Sequence, residues 1–255
     1  MNTKLIILGI NRSGTKLASL IAAKACGFRF ICLEPFRWED GIDTRIGTDW
    51  KDQLLRRDSS VGGIREHRRL PIFPDANIKS KWLENVLTKQ GWDLVKFIQI
   101  GRCNLYHSIC PSALITAVIR EPVGLLTSLN GSTIQKEEVA NQWHRLKKEI
   151  NCSDPLPDAG KFLPKDLADC ARAYVMLYNY LSMNLPENLI RVAFESLKSD
   201  TEWLEKIGNE LRIKINKSIS IPKIGVSTKS PLSDEQTKYL KDNLTTTYNN
   251  FLNEC

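Results

Sequence analysis

The stretch Lys4-Leu5-Ile6-Ile7-Leu8-Gly9-Ile10-Asn11-Arg12-Ser13-Gly14-Thr15-Lys16-Leu17 decides how this chain folds. Lys4–Leu8 is a short apolar run that does not alternate, as expected of a strand buried on both faces of a parallel sheet. Beyond Lys16, Leu17, Leu20, Ile21 and Ala25 keep to one helical face, and Gly27 supplies a C-terminal stop. Between strand and helix, Gly9 to Lys16 crowd Arg12, Ser13, Thr15 and Lys16 around Gly14. A glycine here lets backbone N–H groups turn toward a ligand, and the helix N-terminus adds partial positive charge. Such a nest binds phosphate or sulfate. Gly14 alone would read as an ordinary tight turn; the four polar and basic neighbours point to an anion.

Working outward, Leu94–Ile100, Leu114–Ile119 and Leu189–Phe194 have the same apolar character, and Phe28–Leu33 is a fifth strand candidate. Helical patterns separate them. Lys79–Gln90 ends at Gly91, and Pro164–Met183 carries Leu167, Ala171, Tyr174, Val175 and Tyr178 on one side. The last helix begins at Ser233, and Gln236 three residues later completes a capping box. Strands alternating with helices imply βαβ units and an α/β fold with a central parallel sheet. Periodicity fades between Pro35 and Pro74. The whole chain, 1–255, is therefore expected to be a single domain with an irregular insertion at about 35–75 over the sheet's C-terminal edge.

Composition narrows the partners. With 42% hydrophobic and 25% charged residues and no repeat or low-complexity run, the chain is globular. A net charge of +7 calls for an anionic partner or cofactor. Nucleic acid is not expected, because the basic residues form no long stripe interleaved with aromatics. The densest basic stretch holds Arg56, Arg57, Arg65, His67, Arg68 and Arg69, and is either a solvated loop or an anion-facing one. Seven scattered cysteines without a CxxC pair argue against a disulfide framework and for a reducing compartment. Three histidines and no paired cysteines argue against structural zinc. Leu5–Leu8 is too short for a membrane span or signal core, and nothing later reaches about 18 consecutive apolar residues. A cytoplasmic protein without a membrane span is expected.

A nucleoside-triphosphate loop reads GxxxxGK[ST]. Here Thr15 separates Gly14 from Lys16, and Leu17 stands where a magnesium-binding hydroxyl would be. The strand Leu114–Ile119 runs into Arg120-Glu121 and lacks the aspartate that usually helps hold magnesium. Asn11-Arg12-Ser13-Gly14-Thr15 instead resembles the 5′-phosphosulfate loop of sulfotransferases that use 3′-phosphoadenosine 5′-phosphosulfate (PAPS), usually Pro-Arg/Lys-Ser-Gly-Thr. Asn11 replaces the proline, and Lys16 replaces the usual Thr or Ser. The family's second motif, a strand ending in Arg-Asp/Asn-Pro with serine eight residues beyond the arginine, resembles Val118-Ile119-Arg120-Glu121-Pro122 with Ser128. Arg191-Val192-Ala193-Phe194-Glu195-Ser196-Leu197 is similar to the late strand ending in Tyr-Glu-Asp-Leu, structural in that family. The resemblance spans roughly Lys4 to Leu197. It implies a P-loop NTPase-like sulfotransferase fold, with Arg12, Ser13, Gly14, Thr15, Lys16 and Leu17 on the 5′-phosphosulfate and Arg120 and Ser128 on the 3′-phosphate. An arginine at a strand end offers the bidentate fork this needs. Lys16 either touches the phosphosulfate or points away.

On the acceptor side, Leu33-Glu34-Pro35-Phe36 resembles Phe-Glu-Pro-Leu-Trp of carbohydrate sulfotransferases, and bacterial glycolipid and tyrosyl-protein enzymes also carry a glutamate there. The resemblance implies Glu34 as base, taking the proton that an acceptor alcohol sheds as it attacks sulfur. Pro35 favours an extended Glu34. Sulfotransferases of small alcohols and phenols use a histidine after the strand preceding the Arg-Asp-Pro strand. That position falls near Arg102–His107, so His107 and His67 remain rival bases, while His144 beside Trp143 packs. The implied reaction moves a sulfuryl group from PAPS to a hydroxyl, on a carbohydrate or glycolipid, with Arg12 and Lys16 neutralising charge on the bridging oxygen and no metal. The competing expectations are a nucleotide kinase-like enzyme and a non-catalytic nucleotide or nucleic-acid binding module.

Overall fold

Leu5–Leu8 forms strand β1, all four side chains buried because both faces of the sheet are covered. The computed structural model describes residues 2–33, 69–75, 77–184, 186, 189–219 and 230–253, and the backbone of 45–46 and 53–54. Helix α1 (Thr15–Cys26) follows β1, then β2 (Ile31–Cys32), β3 (Arg45–Ile46) and β4 (Gln53–Leu54). Helix α2 (Lys81–Glu84) widens into a π turn over Asn85–Lys89 before β5 (Leu94–Phe97). A 3₁₀ turn opens α3 (Cys103–Ile109), which leads to β6 (Leu114–Ile119). Helices α4 (Pro122–Asn130), α5 (Thr133–Ile150), α6 (Ala159–Phe162) and α7 (Lys165–Met183) separate β6 from β7 (Leu189–Ala193). Helices α8 (Glu202–Leu211) and α9 (Asp234–Asn253) complete the described elements.

The sheet order is β4-β3-β2-β5-β1-β6-β7. The five strands from β2 to β7 in that order are parallel, and β3 and β4 add antiparallel pairs at the β2 edge. The α/β architecture with a central parallel sheet is thus as expected. Ile6, Leu8 and Ile115 pack with Tyr174, Tyr178 and Phe251 on one face. Leu5, Ile7 and Leu94 pack with Ile21, Trp203 and Ile207 on the other.

Several boundaries differ from expectation for local reasons. Of Phe28–Leu33, only Ile31–Cys32 pairs as strand. Phe28 N–H is taken by Ala23 O in the stop of α1, and Asp93 takes the N–H groups of Arg29 and Phe30. Strand β5 stops at Phe97, paired with the last residue of β1, and Ile100 begins the 3₁₀ turn. Helix α2 begins at Lys81 because Ser80 Oγ caps it, accepting from Leu83 N–H at 3.2 Å. Strand β7 ends at Ala193, and Phe194 opens a 3₁₀ turn. The capping box at the last helix is present: Ser233 N–H donates to Gln236 Oε1 at 3.0 Å, and Gln236 N–H to Ser233 Oγ at 3.2 Å.

Cys26, Cys32, Cys103, Cys110, Cys152 and Cys170 are free thiols, and burial pushes Cys26, Cys103 and Cys170 up to about 12. They behave as small hydrophobes. Among the described residues, no helix is long and apolar enough to cross a membrane.

Strand β1 lies between β5 and β6, and the chain leaves it toward β2 and β5 on one flank before adding β6 and β7 on the other. The direction of winding therefore reverses at the C-terminal ends of β1 and β6, where Leu8 opposite Ala117 is the last pair. Open parallel sheets bind ligands in the crevice at such a switch point.

Candidate anion-binding site at the sheet switch point

The loop leaves β1 at Gly9, where a Cβ would stand 2.3 Å from Ser13 Oγ, 2.6 Å from Thr15 Cγ2 and 2.9 Å from Val118 O. Only glycine lets the loop fold back this closely against β6. Ser13 ties the turn, its N–H and Oγ both donating to Ile10 O, at 3.1 and 2.8 Å. Arg12 is held at φ 70° and Gly14 at φ 94°. A non-glycine residue in the left-handed region is uncommon, and such strain clusters at functional sites. No side chain caps α1 at Gly14, and its first turn holds no acidic residue. The amides of Thr15, Lys16 and Leu17 therefore have no intrahelical acceptor at the positive end of the helix. Asn11 is buried and donates from Nδ2 to Glu138 Oε2, joining the loop to α5.

Arg120, the first residue beyond β6, reaches this loop: its Nη1 donates to Arg12 O at 3.2 Å. Its guanidinium stacks on Phe194, 4.4 Å from the ring centroid. Burial lowers the Arg120 pKa from its ordinary value; Glu195 and Glu121 pull the other way, and the charge of Arg12 adds to the lowering. The same Phe194 ring lies against the loop, since a Cβ on Gly14 would come within 2.2 Å of it. All three sequence motifs meet here, the loop, the β6 terminus and the Phe194–Ser196 turn. The Nε atoms of Arg12 and Arg120 are buried without a hydrogen-bond partner. Two orphaned guanidinium donors beside an uncapped helix N-terminus suit an oxyanion with several acceptor oxygens.

Glu121 has a different task. Its carboxylate caps α4, accepting from Val123 N–H at 2.9 Å and Gly124 N–H at 2.8 Å. Glu195 secures the same corner, accepting from Glu121 N–H at 3.1 Å and from Tyr248 Oη at 3.0 Å. The signal for the cap was legible as an acidic residue before a proline at the first helical position. Lys96, in the C-terminal half of β5 opposite Ile7, is a buried and engaged lysine that its apolar run conceals.

The remaining site residues are spread unevenly. Thr15 and Leu17 are buried and Lys16 is exposed at the mouth of the loop. Ser128 lies along α4, 3% exposed and engaged in the fold, so Arg120 is the more open member of that pair. Glu34, Pro35, Phe36, His67 and the basic residues 56–68 lie outside the described residues; the chain is described as far as Leu33, buried just after β2. His107 lines a pocket with Ser112, Leu114, Ile115 and Glu210. Leu114 and Ile115 begin β6, so His107 stands at the sheet edge opposite the loop. His144 does not pack as expected: it is exposed on α5, where its Nε2 lies 3.2 Å from Asp169 Oδ2 on α7.

Compared with models of known families and with curated proteins, the chain matches none.

Proposed function

We propose that this chain is a PAPS-dependent sulfotransferase of the P-loop NTPase-like sulfotransferase fold, acting on a hydroxyl of a carbohydrate or glycolipid. The observation that carries this is the convergence of the Gly9–Gly14 loop and Arg120 at the switch point, with two guanidinium nitrogens buried and unpaired. Both belong to the motifs that resemble the family's two phosphate sites. Against a magnesium-dependent nucleotide kinase, the Glu121 carboxylate is committed to the N-terminus of α4.

In this account Arg12, Ser13, Gly14, Thr15, Lys16 and Leu17 hold the 5′-phosphosulfate on the helix N-terminus, and Arg120 with Ser128 receives the 3′-phosphate. PAPS, when bound, supplies the sulfuryl group. Glu34 takes the proton of the acceptor hydroxyl as its oxygen attacks sulfur in line. Arg12 and Lys16 neutralise the charge left on the bridging oxygen as the S–O bond to adenosine 3′,5′-bisphosphate breaks.

Incubation with labelled PAPS and a panel of sugars, glycolipids, phenols and steroids tests the proposal. Label should pass to sugar hydroxyls, and Glu34→Gln should lower turnover by roughly 10²–10⁴ while binding adenosine 3′,5′-bisphosphate normally. His67→Asn and His107→Asn should turn over near normally. Transfer to phenols alone, or loss of turnover in a histidine variant with Glu34→Gln active, contradicts the assignment of base and acceptor.

A further inference from the structure

We infer that the cavity between α6 and α9 is a subsite for a neutral sugar ring; its part in holding the acceptor rests on the function proposed above. Two helices set its place. Tyr178 donates to Val118 O at 3.1 Å and Tyr174 to Arg120 O at 3.2 Å, so the start of α7 projects past the C-terminal end of β6. Phe162, just ahead of α7, therefore lies beyond the sheet at the end that carries the anion loop. Helix α9 repeats this geometry. Its Tyr248 hydroxyl donates to Glu195, which also accepts from Glu121 N–H beside Arg120. Nine residues earlier, about 13.5 Å along the helix, Tyr239 stacks on Phe162 with ring centroids 4.7 Å apart. The cavity thus lies at the same end of the molecule as the anion loop, within reach of a short oligosaccharide.

The lining suits a ligand with an apolar face and many donors. The cavity holds about 520 Å³, the size of a small-molecule cleft. Pro155, Pro157 and Phe162 give it apolar walls, and Glu235, Tyr239 and Asn243 line it from α9. Tyr239 is only 8% exposed, yet its hydroxyl has no hydrogen-bond partner among the described residues. A buried hydroxyl left unpaired is costly, and a ligand in the cavity relieves that cost. Asn243 commits its Nδ2 to Tyr239 O at 2.8 Å, which leaves Oδ1 as an acceptor. Asp158 and Asp242 are paired with Lys161 and Lys238, whereas Glu235 has no ion-pair partner among the described residues. Acceptors beside apolar walls match a sugar ring, whose hydroxyls donate and whose C–H face packs on proline and phenylalanine. Asp158, Glu235 and Asp242 against Lys238 make the lining net negative in a chain of net charge +7. An anionic glycan is therefore disfavoured there.

Amide NMR of the full chain without nucleotide, titrated in turn with cellotetraose, maltotetraose and chitotetraose, tests the inference. At least one tetrasaccharide should shift the resonances of residues 155–162 and 235–243 together. Hyaluronan tetrasaccharide, which carries uronates, should bind the cavity more weakly than that neutral chain. Tyr239→Phe keeps the stacked ring and removes only the hydroxyl. It should weaken the tetrasaccharide about tenfold, the scale of one lost hydrogen bond. Glu235→Gln, at the exposed start of α9, should weaken it by about as much and keeps the test decisive should Tyr239→Phe fold poorly. Lys241→Gln, exposed on α9 and outside the lining, is the matched control and should bind as wild type does. No neutral tetrasaccharide at the cavity, wild-type affinity in both lining variants, or tighter binding of the uronate chain overturns the inference. If label passes from PAPS to sugars while both variants keep wild-type affinity, the subsite falls and the proposed function stands. If a tetrasaccharide fills the cavity and no sugar accepts label, the sugar site stands and the proposed function falls.

Discussion

Gly14 carries two constraints at once, a left-handed φ of 94° and a ring 2.2 Å from where a Cβ would sit. Gly14→Ala should therefore destabilise the protein by about 1–3 kcal/mol, the range for a strained backbone position. In a Phe194→Ala background the clash is relieved and the backbone strain remains, so the cost measured by urea unfolding should shrink without vanishing. An equal cost in both backgrounds would show that the ring gives way freely. Arg120→Ala should weaken adenosine 3′,5′-bisphosphate by roughly 1.5–3 kcal/mol, the worth of a charge-assisted hydrogen bond. AMP should lose much less, through the bond from Arg120 to Arg12 O alone. Calorimetry giving equal losses for both nucleotides would mean that Arg120 serves the loop and not the 3′-phosphate. Arg12, Gly14 and Arg120 were legible because their residue types announce anion chemistry. Phe194 was not, since an aromatic residue ending a strand reads as core, and its place over Gly14 depends on the pairing of β6 with β7.

At the scale of elements, Asp93 secures the start of β5 and the approach to β2. Burial alone would raise its pKa, but Lys4, 2.8 Å away, and the N–H groups of Phe30 and Arg29 hold it below the ordinary carboxylate value. A carboxylate depressed in the folded state contributes stability above its unfolded pKa of about 3.9 and loses it as the pH falls through the folded value. Asp93→Asn should be less stable than wild type near neutral pH, and the gap should narrow as the pH drops from about 5 to about 3. A constant gap would mean that Asp93 acts through packing and not through its charge. The elements with strong periodicity, α1 and α7, and the apolar strands β1 and β6, were legible from sequence almost to the residue. The shortening of β2 was not, because it follows from the capture of two backbone N–H groups by an aspartate more than sixty positions away. Tyr174 and Tyr178 were visible as an apolar helical face, yet their hydroxyls acquire meaning only against the carbonyls of β6.

At the scale of the molecule, strand order brings the loop after β1 beside the end of β6, although the two are more than a hundred residues apart in the chain. Apolar strands separated by helices predict a parallel sheet but not which strands are neighbours, so the meeting of Arg120 with Arg12 became visible only in three dimensions. The two motifs that resemble phosphate sites were readable because each is local. The anchor of the segment between β4 and α2 was not: Arg102 donates to Leu70 O and Pro71 O, Arg145 to Leu70 O, and Glu149 accepts from Ile72 N–H. That clamp joins three distant stretches, residues 70–72, Arg102 and residues 145–149. The proposed site takes both a 5′ and a 3′ phosphate without a metal, and ligand-induced stabilisation in magnesium-free buffer reads this out. Adenosine 3′,5′-bisphosphate at about 100 times its dissociation constant should raise the unfolding free energy by about 2.7 kcal/mol, with AMP at the same concentration giving far less. Equal stabilisation by AMP, or stabilisation only when magnesium is added, would contradict it.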